Sequence, residues 1–325
     1  SVFGVYPVSV PSIGLVVSLI TSALYIFSLY HFKKSIFAWA SALTIALAFW
    51  QVLVLLQVPF DFYSIAWIGL GIAYMLAERF LRSTSVQWIQ SFRIPLGLSA
   101  VALWLFGLAL TALPTINALN GLEINNSFPV ISAQLLALSF LFIAAKLYST
   151  KWPLFLEPIL ALFPVTLFFI GYAEPFFGLT LTSSQFGIVW SGLGLLHLIL
   201  AFFLDPSQER YAHGIYLGGY ALATFAATWT ADNIAIFLWT FGILILIAIG
   251  SAVITHFNRH HTWNDFIAVL FQDSEGKFRD TVRGAFIWIS AWFSPIWIVL
   301  LLFYIGVPPG FQWLGFSLSA VVFIG

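Results

Sequence analysis

The sequence predicts an all-α, polytopic integral membrane helix bundle, with about eleven transmembrane helices in parallel four-helix repeats. Of its 325 residues, 61% are hydrophobic and only 7% are charged, whereas an ordinary soluble domain carries roughly 25% charged residues. A water-facing enzyme surface cannot be built from so few charges, and a disordered chain would need more of them. Nucleic-acid binding is excluded too, because 12 basic residues balance 12 acidic ones and leave no basic face.

The apolar segments supply the predicted helices. A membrane span needs about 20 mainly apolar residues, and the segments here are too long and continuous for barrel strands. The last predicted segment, at residues 310–325, is short for a span, so we expect the sequence to be part of a longer protein. The eleven segments cover approximately residues 10–30, 35–56, 64–81, 95–113, 129–147, 152–170, 184–204, 213–230, 233–256, 285–305 and 310–325.

The charges sort by side of the membrane. All 12 basic residues fall in or beside the odd-numbered connections. The charged residues of the even-numbered connections are all acidic, namely Asp61, Glu123, Glu174 and Asp232. Because positive charge accumulates on the cytoplasmic side of membrane proteins, we expect the odd-numbered loops to be cytoplasmic and the first residue of the sequence to be exterior.

A Trp-x-Gly-x-Gly signature indicates an internal repeat. It begins at Trp67 and Trp190, and recurs at Trp313 with Ser in the last position. The Trp residues are separated by 123 residues in both intervals. We therefore predict four-helix repeats at residues 1–118 and 119–232, and an incomplete third repeat at 233–325 with a cytoplasmic loop at 257–284. An even number of helices per repeat makes the repeats parallel.

The signature residues predict close helix packing. Glycines let membrane helices approach closely, and the Trp would anchor each helix at the membrane interface. The alternative is a pocket for a cofactor or lipid over the same seam. The predicted packing residues are Trp67, Gly69, Gly71, Trp190, Gly192, Gly194, Trp313 and Gly315.

His197 is the candidate for cofactor binding, because it lies about mid-span among apolar neighbours and ionisable residues inside membranes are costly. Its imidazole could ligate the metal of a chlorin or haem. A haem held by two histidines would need a second histidine at similar depth, and the sequence offers none. The alternative is a neutral histidine that bonds to a hydroxyl or carbonyl on a neighbouring helix, such as that of Ser139 or Thr224.

The longest connection is the candidate docking surface for a partner subunit. His256 and His260 have metal-ligand spacing on a helix, but an interfacial basic cluster fits the charge rule better, and we predict no metal site. A solvated loop is an equal alternative. The residues of this predicted surface are His256, Arg259, His260, His261, Asp265, Lys277 and Arg279.

Residues suited to chemistry are otherwise scarce. We expect Glu78 and Glu157 to be interfacial ion-pair members. No catalytic motif occurs in the sequence, so we expect no enzymatic activity.

The leading hypothesis is a structural or accessory subunit that binds the lipid bilayer and other membrane protein subunits through aromatic and small-residue helix surfaces. The alternatives are a transporter for a neutral or lipid-like substrate, or a pigment- or haem-binding electron-transfer subunit that uses His197. Lipid, chlorin and haem are the candidate cofactors.

Overall fold

The fold is all-α, as predicted. The structure, a computed structural model, describes residues 9–120, 127–150, 152–173, 177–203, 209–257, 293–311 and 317, and this part of the chain contains no strand. Its helices are α1 (Ser9–Phe32), α2 (Ile36–Leu55), α3 (Tyr63–Leu81), α4 (Gln87–Gln90), α5 (Arg93–Leu119), α6 (Ser127–Tyr148), α7 (Trp152–Phe168), α8 (Ser183–Phe203), α9 (Glu209–Trp229), α10 (Ile234–Phe257) and α11 (Phe293–Tyr304).

Seven of the described helices are long and apolar enough to cross a membrane. They are α1, α2, α3, α5, α6, α7 and α8. Two more apolar stretches are shorter, at Ile234–Gly250 and Phe293–Tyr304. The chain therefore reads as a multi-pass membrane protein by length and composition, while the predicted total of eleven spans is not confirmed.

The chain divides into two compact units, and α7 contributes to both. The first unit is Ser1–Leu147 with Phe163–Phe177, and the second is Tyr148–Leu162 with Gly178–Gly325. Helices α1 and α2 pack as one pair in the first unit, and α3 packs along α5. In the second unit the most extensive packing joins α8 and α9, with α10 beside them.

Polar atoms reach across the helices of the first unit to backbone carbonyls. Tyr74 on α3 donates its hydroxyl hydrogen to the carbonyl oxygen of Ala42 on α2, at 2.7 Å. Trp104 on α5 donates its ring N–H to the carbonyl oxygen of Ala137 on α6, at 3.1 Å. Because a buried donor without a partner costs free energy, each bond fixes the register of two helices.

Candidate functional site

Two buried carboxyl groups lie within the described spans, and their partners differ. Glu78 on α3 is 3% exposed, and its Oε1 accepts a hydrogen bond from Nε of Arg82 at 2.6 Å. Arg93 on α5 lies farther from the same oxygen, at 3.9 Å. Glu78 precedes Arg82 by four residues, a favourable spacing for a helix pair, and the expectation that Glu78 is an ion-pair member is confirmed. A guanidinium is always protonated in proteins, so the partner of Glu78 is a permanent cation.

Glu157 pairs with His197 instead of a basic residue. Both side chains lie in the second unit, Glu157 on α7 and His197 on α8, and each is 7% exposed. His197 Nε2 lies 3.2 Å from Oε2 and 3.4 Å from Oε1 of the carboxyl group. We expected Glu157 to be an interfacial ion-pair member, but the structure buries its carboxyl group between two helices, against an imidazole.

The second ring nitrogen of His197 fixes the orientation of the ring. Nδ1 lies 2.7 Å from the carbonyl oxygen of Leu193, one turn earlier on α8. A carbonyl oxygen can only accept, so Nδ1 carries a hydrogen and donates it. Both ring nitrogens of His197 are therefore engaged within the protein. Ligation of a haem or chlorin metal through Nε2 would require Glu157 to move away.

Two consecutive glycines on α9 bring the paired helices together. Gly218 packs against α7, where an added Cβ would overlap the carbonyl oxygen of Phe155 and lie 2.8 Å from the Pro158 ring. Gly219 packs against α8, where an added Cβ would lie 3.2 Å from Cβ of His197. Since neighbouring residues on a helix point in different directions, α9 can touch α7 and α8 at the same level, next to the carboxyl–imidazole pair.

The structure does not pair His197 with either hydroxyl considered from sequence. Ser139 Oγ donates to the carbonyl oxygen of Leu135 at 3.0 Å, and Thr224 Oγ1 donates to that of Tyr220 at 2.9 Å. Both hydroxyls thus bond within their own helices, as is common for Ser and Thr in helices.

The two described Trp-x-Gly-x-Gly signatures have the same asymmetry. An added Cβ on Gly71 would lie 2.9 Å from the backbone oxygen of Ala100, and one on Gly194 would lie 2.7 Å from that of Gly219. At Gly69 and Gly192 nothing lies within 4 Å of an added Cβ. Only the second glycine of each signature therefore lies at a close helix crossing.

The tryptophans of the two signatures lie among aromatic rings. Trp67 makes edge contacts with Phe49 and Phe106, at centroid distances of 5.9 and 5.6 Å. Trp190 is 1% exposed and contacts Phe225 and Trp229, at 5.9 and 5.3 Å. Trp190 thus contributes to the interior of its unit. A Trp anchored at a membrane interface would instead be partly exposed.

The remaining predicted site residues fall at or beyond the edge of the described ranges. His256 lies in the last turn of α10, and its side chain is not described. Among the described residues, no group of three or more His, Cys, Asp or Glu side chains could hold a metal ion. The residues Trp313, Gly315, Arg259, His260, His261, Asp265, Lys277 and Arg279 lie outside the described residues.

Sequence reasoning missed the partner of His197, although one signal for it exists. Glu157 lies in the second turn of α7, and His197 lies in the last third of α8. Successive spans run in opposite directions, and one connection separates α7 from α8 in the chain. The start of α7 and the end of α8 are therefore on the same predicted side, and residues at similar distances from those ends share a depth.

No known family model matches the chain, and neither does any curated protein or solved structure. Any function must therefore be inferred from the residues and their geometry.

Proposed function

We propose that the chain is a structural or accessory subunit of a larger membrane protein assembly, built from about eleven spans in parallel four-helix repeats. The observation that supports this most is a helix crossing that occurs twice. Gly71 faces the backbone oxygen of Ala100 and the backbone nitrogen of Trp104. Gly194 faces the same two backbone atoms of Gly219 and Ala223, again four residues apart.

The numbering of the two crossings supports an internal repeat. Gly71 and Gly194 are 123 residues apart, and their partners Ala100 and Gly219 are 119 apart. The offset of 123 is also the spacing of the tryptophans in the sequence signature. Two crossings with matching atoms and constant offsets fit two copies of one helix pair.

A second contact along the same helix pairs has the same offsets. An added Cβ on Gly107 would lie 3.0 Å from the backbone oxygen of Ser64, and one on Gly187 would lie 3.2 Å from that of Ala226. Ser64 and Gly187 are 123 residues apart, and Gly107 and Ala226 are 119 apart. The glycine of this contact is on α5 in the first pair and on α8, the counterpart of α3, in the second pair. The pair of positions in contact is nevertheless the same. A close seam held at two levels suits a rigid scaffold.

Gln51 and Gln134 carry amides that could line a transport path, but their contacts favour the scaffold over the transporter. Gln134 donates from Nε2 to Oγ1 of Thr115 at 2.9 Å, and Thr115 donates to the carbonyl oxygen of Thr111 at 2.8 Å. Gln51 lies beside Gly14, where an added Cβ would be 3.1 Å from its amide carbon. These amides contact neighbouring helices of the same chain, where they contribute to packing.

Large apolar surfaces remain for lipid or partner subunits. On α10, Trp239 is 73% exposed and Leu246 is 68% exposed. They are seven residues apart, so they share one face of the helix. An exposed apolar face of this kind is suited to a lipid bilayer or to another membrane helix.

Purification of the tagged full-length protein in a mild detergent tests the proposal. We expect a partner at fixed stoichiometry, visible as one complex by native mass spectrometry. An unrelated multi-pass protein, expressed at the same level and tagged in the same way, is the control for non-specific association. A chain that purifies alone, and that carries substrate-dependent flux in proteoliposomes, would refute the scaffold and favour the transporter.

A further inference from the structure

We propose that Glu157 and His197 form a binding site for one exchangeable proton inside the second unit. This inference is independent of the scaffold function, because it rests on a single pair of side chains and not on any partner. The ligand is the proton itself, and the two side chains are its alternative acceptors.

The hydrogen on Nδ1 limits the protonation states of the pair. That hydrogen is donated to the carbonyl oxygen of Leu193. In a neutral ring Nε2 then carries a lone pair, and in an imidazolium it carries a second hydrogen. Its contact with Glu157 at 3.2 Å is then favourable in two arrangements. A neutral carboxyl group donates to Nε2, or an imidazolium donates to a carboxylate. Each arrangement holds one proton between the two side chains and has no net charge.

Any other occupancy would leave a net charge in a buried site. With no proton, a carboxylate would face a lone pair; with two, an imidazolium would face a neutral acid. An uncompensated buried charge is strongly destabilising, and charged groups are also costly within a membrane. The pair is therefore most stable with one proton.

Among the described side chains, the surrounding helices provide no further charged group that would compensate such a charge. Helices α7 and α8 carry no ionisable side chain besides Glu157 and His197. The described side chains of α9 add only Tyr216 and Tyr220, which are phenols and uncharged at neutral pH. The side chains of Glu209, Arg210, Tyr211 and His213, at the start of α9, are outside the described residues.

Transfer within the pair needs no further reactant. The O–H bond of Glu157 breaks as an N–H bond forms at Nε2, the electron pair of the broken bond stays on the carboxylate oxygen, and the total charge does not change. At a rise of 1.5 Å per residue, Glu157 lies about 8 Å along α7 from its first residue. That end of α7 is on the side predicted to be cytoplasmic, so we infer that the site exchanges protons with that side.

Glu78 is the matched comparison. It is also a buried carboxyl group on a span, but its partner is the guanidinium of Arg82, which does not release its proton. A substitution of Glu78 therefore removes a carboxylate and no exchangeable proton, whereas one of Glu157 removes half of a proton site.

Counting the protons tests the proposal. The full-length protein in lipid nanodiscs is labelled with ¹⁵N-histidine, and NMR reports whether each ring nitrogen of His197 carries a hydrogen. Infrared difference spectra between wild type and Glu157→Gln report whether Glu157 is a protonated acid. We expect one proton: either the acid band is lost in Glu157→Gln and His197 is neutral, or no band is lost and His197 is an imidazolium.

The expected signal should also exchange in D₂O and should be unaffected by Glu78→Gln. Two protons, no proton, or a signal that persists unchanged in D₂O would overturn the proposal. If Glu157→Gln does not fold, ¹³C-glutamate labelling of the wild-type protein reports the protonation state of the Glu157 carboxyl group by its chemical shift, with the pair intact. A chain that purifies alone and carries substrate-dependent flux, but shows one exchangeable proton, would refute the scaffold and leave the proton site standing.

Discussion

Gly192 and Gly194 provide a controlled test of helix packing, because they are two residues apart on the same helix. An added Cβ at Gly192 would meet nothing within 4 Å. At Gly194 it would lie 2.7 Å from the backbone oxygen of Gly219 and 3.1 Å from the backbone nitrogen of Ala223. We therefore compare Gly194→Ala with Gly192→Ala.

The structure gives the sign and size of the difference. Ordinary contacts between heavy atoms are about 3.5–4.0 Å, and a backbone oxygen cannot rotate away, so Gly194→Ala must displace α9. Overpacking of this kind costs about 1–3 kcal/mol. Alanine favours the helix over glycine by about 1 kcal/mol, but that gain is common to both variants. We expect Gly192→Ala to be neutral or stabilising, and Gly194→Ala to be less stable than it by about 1–3 kcal/mol.

Reversible unfolding in mixed lipid and SDS micelles, followed by circular dichroism, measures this difference in the free energy of unfolding. The comparison of two alanine variants removes the helix-propensity term, which a comparison with wild type alone would retain. Equal stabilities of the two variants would refute the close crossing of α8 and α9.

Three further predictions follow from the structure and the charge pattern. Gly71→Ala should be less stable than Gly69→Ala by the same 1–3 kcal/mol or so in the unfolding assay above, and an equal effect would contradict the duplicated crossing. Because the chain contains no cysteine, Lys33→Cys and Asp61→Cys can each be labelled with a membrane-impermeant thiol reagent, and they should report opposite sides of the membrane. The purified protein should show no haem or chlorin absorption, since both nitrogens of His197 are engaged; a band that disappears in His197→Ala would show the opposite.

Helix positions were largely predictable because a span must be about 20 residues long and polar residues bound it. The predicted segments 10–30 and 35–56 correspond to α1 at Ser9–Phe32 and α2 at Ile36–Leu55. The prediction failed at Pro114, where the fourth segment was expected to end. Helix α5 continues through Pro114 to Leu119. Membrane helices tolerate an internal proline, because neighbouring helices and local adjustments of the backbone satisfy the groups that it frees.

The candidate site was predictable only in half. His197 was identifiable from sequence because a buried ionisable residue is unusual in an apolar span. Its partner was missed, since Glu157 precedes it by 40 residues. A shared predicted depth makes the pairing possible, but the contact depends on how α7, α8 and α9 pack. The glycines that set this packing, Gly218 and Gly219, form no periodic pattern that would mark them as contacts on two different helices.

The carboxyl–imidazole pair also has a consequence for biogenesis. Helix α7 precedes α8 in the chain, so Glu157 enters the membrane before His197 has been inserted. An acidic residue inside a span is costly while it has no partner. Until α8 follows, Glu157 lacks its imidazole partner, and the arrival of His197 supplies it. The pair therefore couples the burial of one helix to the presence of the next.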